Sequence, residues 1–365
     1  MNIVCKKEDL IKATNIAIRA VSNRTTMPIL EHLLLVTTDQ FKILSTDIEL
    51  SIETKPIPAD ILAQGSIAIH AKMFFDIVRK LPDNESIILK VEEDQKIYIK
   101  SGKVEFKLMG QKASDFPAFP DFEKEQHYRI GSETLKRMIR QTVFSISKSE
   151  DKIALTGGLL EIESDQIKIV TIDNFRVSYR EEPLLEPGID ASAIVPGKTL
   201  DQLSKVLTDG EIDIYFGDKH LLFDLPEGIF ITKVIEAEFI RYKQILSQPT
   251  TTYFSMGQRE ILESLERATL ITNESRKNPV SFNIEKDKIV VTSTADAGNF
   301  YDEIDIDMGG EPLAINFNPQ YVLDAIRVID IEELNFNFST NLSPVIITGK
   351  EHSNYKYLIL PLRLT

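Results

Sequence analysis

The sequence predicts an α+β protein made of three copies of one unit, each mostly antiparallel sheet with two helices. Three observations predict this. A short strand followed by an amphipathic helix opens three segments of the chain. A small-x-Asp signature recurs after each of these helices, and a second short helix then recurs at nearly the same spacing. The chain has 365 residues, enough for two to four domains at about 100–200 residues each.

The first unit opens with Asn2-Ile3-Val4-Cys5 and a helix over residues 7–22, where Leu10, Ala13, Ala17 and Ala20 fall on one face. The second opens with Tyr128-Arg129-Ile130 and a helix over 132–148, with Leu135, Met138, Ile139, Thr142, Val143 and Ile146 aligned. The third opens with Tyr253-Phe254-Ser255-Met256 and a helix over 258–271, with Ile261, Leu262, Leu265, Ala268 and Ile271 aligned. The signatures Ser45-Thr46-Asp47, Thr171-Ile172-Asp173 and Thr294-Ala295-Asp296 are 126 and 123 residues apart. The second helices start at Ala71-Lys72-Met73, Gly197-Lys198-Thr199 and Asn318-Pro319-Gln320, spaced by 126 and 121. Between helices, segments such as Gln40-Phe41-Lys42-Ile43-Leu44 and Gln166-Ile167-Lys168-Ile169-Val170 alternate apolar and polar residues, as half-buried strands do. Asp94-Gln95, Ser164-Asp165, Gly217-Asp218 and Glu285-Lys286-Asp287 sit where hairpin turns belong. Polar stretches near Phe122–Gln126 and Ser247–Thr251 divide the chain into units 1–124, 125–248 and 249–365.

Hydrophobic residues at 42% and charged residues at 27% exclude a disordered chain. The longest apolar runs, such as Leu33–Val36, are far short of the roughly 18 residues that span a bilayer. Met1 to Lys7 lacks the apolar core of a signal peptide, and the single cysteine, Cys5, leaves no internal disulfide framework. Both point to the cytoplasm. The net charge of −14, taken alone, speaks against nucleic acid as a partner, because affinity for phosphates comes from Lys and Arg.

Catalytic chemistry has little support. None of His32, His70, His127, His220 and His352 stands at metal-ligand spacing from another His or Cys, so no metal site and no cofactor are expected. Cys5 reads as a small core residue rather than a nucleophile. Gly197-Lys198-Thr199 ends like a phosphate-binding loop, but Ser192 stands where the leading glycine belongs and Pro196 removes an amide donor. The repeat explains it as a helix start. In the acidic strand 302–307, Glu303, Asp305 and Asp307 share a face. A divalent-cation site, a solvated edge, or an edge that pairs with Lys100, Lys103 and Lys107 are the three readings.

Charge is sorted by element. The six predicted helices carry fifteen basic and nine acidic side chains, a surplus of six, which leaves −20 for the rest. If the helices face one way, one side of the molecule is basic and the other acidic.

The chain resembles the β subunit of bacterial DNA polymerase III, the sliding-clamp family, from end to end. The residues that carry this include Asn23 to Leu30, Ser45 to Leu50, Phe75 to Pro82, Ala113 to Pro117, Asp173-Asn174-Phe175-Arg176, Thr272 to Arg276, Phe317 to Asp324, and the tail Tyr357 to Leu364. The resemblance implies a non-catalytic processivity factor. It would be a head-to-tail homodimer whose six domains close a ring, with helices lining the hole and sheets outside. Partners would be double-stranded DNA without sequence preference, and the replicative polymerase subunit, the clamp loader, repair polymerases and mismatch-repair proteins through short peptides. By position, the resemblance places DNA-backbone contacts at Arg24, Lys72, Lys148, Lys152 and Lys198. It places a partner-peptide pocket at Leu155, Ile172, Asn174, Arg176, Val177, Ile240, Ile245, Asn318, Tyr321, Leu342, Pro344, Leu358, Ile359, Leu360, Pro361 and Leu362. It places the dimer interface at Lys100, Lys103, Phe106 and Lys107 against Leu270, Ile271, Asp302 and Glu303. Asn174-Phe175 departs from the Gly-His usual before the arginine, and Ile153-Ala154 stands where some members carry aromatic residues. The rival functions are a β-rich protein-binding scaffold that does not encircle DNA, and a nucleotide hydrolase built on Gly197-Lys198-Thr199.

Overall fold

The computed structural model describes residues 1–22, 25–83, 85–124, 126–271, 278–350 and 352–363. The first repeat runs β1 (Asn2–Lys6), α1 (Lys7–Ala17), β2 (His32–Thr37), β3 (Phe41–Thr46), β4 (Leu50–Thr54), β5 (Ala59–Ala63), β6 (Gly65–His70), α2 (Ala71–Lys80), β7 (Ser86–Val91), β8 (Lys96–Ser101) and β9 (Val104–Met109). The second runs β10 (Gln126–Gly131), α3 (Ser132–Arg140), β11 (Gly157–Glu163), β12 (Gln166–Ile172), β13 (Arg176–Pro183), β14 (Ala191–Pro196), α4 (Gly197–Ser204), β15 (Glu211–Phe216), β16 (His220–Asp224), β17 (Gly228–Lys233) and a short α5 (Tyr242–Leu246). The third runs β18 (Thr252–Gly257), α6 (Gln258–Thr269), β19 (Val280–Ile284), β20 (Lys288–Ala295), β21 (Gly298–Asp305), β22 (Leu313–Phe317), α7 (Pro319–Arg327), β23 (Glu333–Phe338), β24 (Val345–Gly349) and β25 (His352–Ile359).

All of these strand pairs are antiparallel, and the sheets do not respect the repeats. One eight-stranded sheet has the order β10-β15-β16-β17-β4-β3-β2-β6, so the second repeat adds four strands to the first at β17·β4. Another has the order β14-β11-β12-β13-β25-β24-β23-β18, joining second and third repeats at β13·β25. The remainder forms a five-stranded sheet, β5-β1-β7-β8-β9, and a four-stranded sheet, β21-β20-β19-β22. The chain accordingly divides into two compact units, residues 1–133 with 205–234, and residues 134–204 with 235–365.

The predicted apolar faces are buried. Leu10, Ala17, Leu135, Met138, Ile139, Ile261, Leu265 and Ala268 are each at most 1% exposed, which is where helical periodicity places them. Fully burying such an aliphatic side chain contributes about 1.5–3 kcal/mol. Cys5 lies in the first unit's core, and burial, with Asp9 nearby, pushes its thiol up to about 12, so it stays protonated and unreactive. The small-x-Asp signature is a turn device. Asp47 Oδ1 accepts from the Glu49 and Leu50 amides at 3.1 and 2.8 Å, and Asp173 Oδ1 from those of Phe175 and Arg176 at 2.8 and 3.0 Å. Gln95 and Ser164 take positive φ in their hairpins, as turn residues do, and so does the β-branched Ile48 at 78°.

The helices are shorter than the apolar pattern predicts. Residues 132–148 end as an α-helix at Arg140: the Thr142 amide bonds the Ile139 carbonyl at 3.0 Å in a 3₁₀ step and its φ of −127° leaves the helical region, while its Oγ1 donates to the Met138 and Ile139 carbonyls at 2.8 and 3.2 Å. Residues 7–22 end at Ala17 before a 3₁₀ turn, and residues 258–271 end at Thr269.

Candidate functional site

Shorter helices weaken the charge sorting. Arg19, Lys148 and Lys205 fall outside them, leaving twelve basic against nine acidic side chains on the six helices that correspond to the prediction. Several of those charges are also engaged: Arg79 with Asp76, Arg137 with Glu182, Arg140 with Asp330, Arg259 with Glu263, and Arg327 with Glu266. Lys7, on the first helix, is buried and donates to Asp83 at 2.6 Å.

Of the expected DNA contacts, Arg24 lies outside the described residues. Lys72 is exposed in the first turn of α2. It lines a groove of about 440 Å³ together with Met73, Ile77 and Phe106. In the other unit, Lys148, Lys152 and Lys198 are exposed at one corner. The loop there is closed by the Ser147 amide on the Leu155 carbonyl at 2.9 Å. The start of α4 packs directly on it, since a Cβ on Gly197 would meet Ile146 and the Thr156 carbonyl at 3.0 Å. Gly197 is therefore a close-packing glycine at a helix start.

The predicted pocket residues gather mainly in one place. Leu155, Ile172, Val177 and Leu358 belong to one buried apolar cluster, with Ile240 and Ile245 packed against it. Sequence reasoning missed Tyr179, Ile194, Tyr242 and Ile346 in that cluster. Alternation along β13 from Val177 leads to Tyr179 and was the available signal. Ile359 departs from the expectation. Alternation along β25 puts its side chain on the opposite face, in the third repeat's core rather than in this cluster.

Arg176 is held on all sides. It donates to Asp173 at 3.0 Å, Asp324 at 2.6 Å and the Phe144 carbonyl at 2.6 Å. Its guanidinium lies 4.5 Å from the Tyr321 ring centroid. Tyr321 stacks on Phe175 at 5.6 Å, and Phe175 is 41% exposed. Asn318 caps α7 by accepting from the Gln320 amide at 3.0 Å. The tail runs alongside: the Leu360 amide donates to the Phe175 carbonyl at 2.8 Å, and the Leu362 amide to the Asn316 carbonyl at 2.7 Å. Leu360 is 39% exposed, Pro361 half-buried, and Asn174 exposed. Leu342 stands exposed, and Pro344 half-buried, in the loop between β23 and β24. Beside the cluster a polar recess of about 230 Å³ opens between Tyr179, Tyr242, Lys243 and Glu163. Hydrogen bonds from Lys168 and Lys243 hold the Glu163 carboxyl below its ordinary 4.5. Burial, then bonds to Glu181 and Glu161, raise the Tyr179 and Tyr242 hydroxyls.

Four of the expected interface residues lie on two unpaired edge strands, and the other four lie on an inner strand, in a turn or at a helix end. β9 is an outer strand of the five-stranded sheet and carries Phe106 and Lys107. Lys100 and Lys103 are exposed beside it. β21 is an outer strand of the four-stranded sheet and carries Asp302 and Glu303. Leu270 is 83% exposed at the end of α6, and Ile271 is half-buried. Asp302 accepts from Arg267 at 2.5 Å, and Glu303 from Lys288 at 3.1 Å. Among the described residues no group of three His, Cys, Asp or Glu is placed to hold a metal ion. His32 and His70 do meet across β2 and β6, with ring centroids 5.6 Å apart, which their sequence spacing concealed. No helix among the described residues is long and apolar enough to cross a membrane.

Known proteins share this architecture throughout. Residues 1–120, 129–240 and 243–363 match the N-terminal, central and C-terminal domain models of the DNA polymerase III beta subunit. A beta sliding clamp of Bacillus subtilis (strain 168) is 30% identical over 378 residues, covering 100% of each chain. The crystal structure of a DNA polymerase sliding clamp from the same species matches with a TM-score of 0.96 at 30% identity and 100% coverage of both chains. A putative DNA polymerase III beta subunit from Eubacterium rectale matches with a TM-score of 0.96 at 35% identity and the same coverage.

Proposed function

This chain belongs to the DNA polymerase III beta subunit family, and from that premise we propose how it acts: as a sliding clamp, two copies closing a ring around duplex DNA and tethering the polymerase. It performs no chemistry of its own. The observation that carries the reading is the pair of open edges. Within the chain, β4 of the first repeat pairs with β17 of the second, and β13 of the second with β25 of the third. Each junction joins the strand after the small-x-Asp turn to the last strand of the next repeat. One such pairing is left over, β21 with β9, and both are edges. An unpaired edge is a template for another chain. Two copies joined twice, head to tail, satisfy every edge of this kind by a two-fold axis. Lys100, Lys103 and Lys107 then face Asp302 and Glu303, and Phe106 meets Leu270 and Ile271.

A ring holds DNA by topology, so the contacts to phosphate need only be weak. Lys72, Lys148, Lys152 and Lys198 serve that purpose, with Arg24 as a further contact. Ile153-Ala154 adds no base stacking. The apolar cluster around Leu155, Val177 and Leu358 takes short partner peptides as an anchor-in-pocket site, with the 360–362 tail as one wall. Units 1–124, 125–248 and 249–365 are the repeats, and the protein works in the cytoplasm.

Sedimentation tests the ring. The native protein should run as a dimer, and both Phe106→Asp and Leu270→Asp should run as monomers. Leu270 is too exposed for its replacement to unfold the chain. Dimers persisting in both variants would place the interface elsewhere.

A further inference from the structure

The groove of about 440 Å³ beside the start of α2 has an apolar lining of Met73, Ile77 and Phe106, and His70, the last residue of β6, lines it too. In the ring proposed above, Leu270 and Ile271 of a second copy meet Phe106, and the inference below rests on that reading. Those two side chains then enter a groove that holds one titratable ring.

His70 is placed as an acceptor. Its Nδ1 accepts from the Met73 amide at 3.4 Å and caps α2, so that nitrogen carries no proton. Its Nε2 lies 3.7 Å from Glu31. Its ring meets that of His32 edge-on, at 5.6 Å between centroids. His32 is buried, with Nδ1 3.0 Å from the Pro28 carbonyl, and burial holds it below the ordinary histidine value. His70 is the half-buried one of the pair and stands open to solvent. Lys72, Asp76 and Lys80 of α2 also line the groove, and Asp76 is engaged with Arg79 at 3.4 Å. β9 carries Lys107 and Glu105, paired with each other at 3.4 Å. The 113–115 turn packs on β6 and carries Asp115, which is exposed. The entering helix end bears Arg267 and Glu266, already engaged with Asp302 and Arg327. Among the described residues Glu31 is the one carboxylate within ion-pair reach of His70.

Seating leucine and isoleucine in the groove takes water away from His70. An uncharged ring tolerates this, whereas an imidazolium loses its hydration. A proton on Nδ1 also turns the cap acceptor into a donor facing an amide. It sets a positive charge at the positive end of α2, beside Lys72. Glu31 opposes the charge in the free chain and in the dimer alike, so it does not cancel the difference between them. Association therefore favours the uncharged ring: the joint is strongest above the titration range of histidine and weakens as the pH falls through it.

We propose that His70 makes this groove a pH-sensitive seat for a second copy of the chain, closed when the ring is neutral and loosened when it is protonated.

Sedimentation equilibrium of the full chain at about pH 7.5 and about pH 5.5, which bracket histidine titration, tests this. The dimer should be at least about tenfold weaker at the lower pH, since every ring contains two such joints. His70→Asn should abolish the difference, because Asn caps a helix and takes up no proton. His32→Asn, whose amide can still donate to the Pro28 carbonyl, should retain it. Dilution calorimetry at about pH 6.5, in two buffers of different ionisation enthalpy, should show proton uptake as the native dimer dissociates and none for His70→Asn. A dimer of equal affinity at both pH values, or a pH dependence that persists in His70→Asn, would overturn the inference and leave the ring intact. A monomer at the higher pH would overturn the ring reading, and the inference with it.

Discussion

Two residues show how single side chains shape this molecule. Ile48 occupies the left-handed region at φ 78°, a conformation that costs a β-branched residue about 1–2 kcal/mol, while its side chain is 44% exposed. Asn tolerates that conformation, so Ile48→Asn should stabilise the protein by about 0.5–1 kcal/mol in urea unfolding. A lower midpoint would show that the Ile48 side chain contributes more than its backbone loses. Arg176 is the opposite case. Its removal strands Asp173 and Asp324 without their cation, and Arg176→Ala should destabilise its unit by about 3 kcal/mol. Arg176→Lys should recover only part of this, because a single ammonium cannot reproduce the fork. From sequence Arg176 was expected to line the pocket. Its role as a strut depends on Phe144 of its own repeat and on Asp324, which comes near only when the second and third repeats pack.

At the scale of elements, the helix faces were legible because burial follows a 3.6-residue period, as in Leu135, Met138 and Ile139. The end of α3 was not. The apolar pattern continues through Val143 and Ile146, while the helix stops where Thr142 bonds back and Gln141 reaches Val328. The second of these is a tertiary contact that no local pattern announces. The polar recess beside α5 has a pH signature. Since Glu163 has a lowered folded value, its contribution to stability is full above about 4.5 and is lost as the pH falls below it. Lys243→Ala should move the acid-unfolding midpoint of this unit upward, and an unchanged midpoint would mean Lys168 alone holds the carboxylate. The tail is a second element with a separable effect. Deleting residues 360–365 removes the bonds to Phe175 and Asn316 but leaves β25 whole. Partner-peptide affinity should fall at least about tenfold, equivalent to about 1.4 kcal/mol, with the dimer intact by sedimentation.

Across the whole molecule, the threefold repeat was visible in three landmarks at one period, but the sharing of sheets between repeats was not. Period-two patterns identify strands without saying which strand lies beside which, so β17·β4 and β13·β25 emerged only in three dimensions. The same limit hid the meeting of His32 with His70. The net charge of −14 also takes on a different meaning. A surplus of only three positive charges on the six matching helices is too small for tight, open-faced DNA binding, and suits a ring that must slide.

The most direct test of encirclement is topological. The protein is loaded by a clamp loader onto nicked circular DNA, the free protein is removed, and the circle is cut once. A closed ring should remain on the circle and escape from the linear product through its ends. Equal retention on circular and linear DNA, or no loading at all, would contradict it.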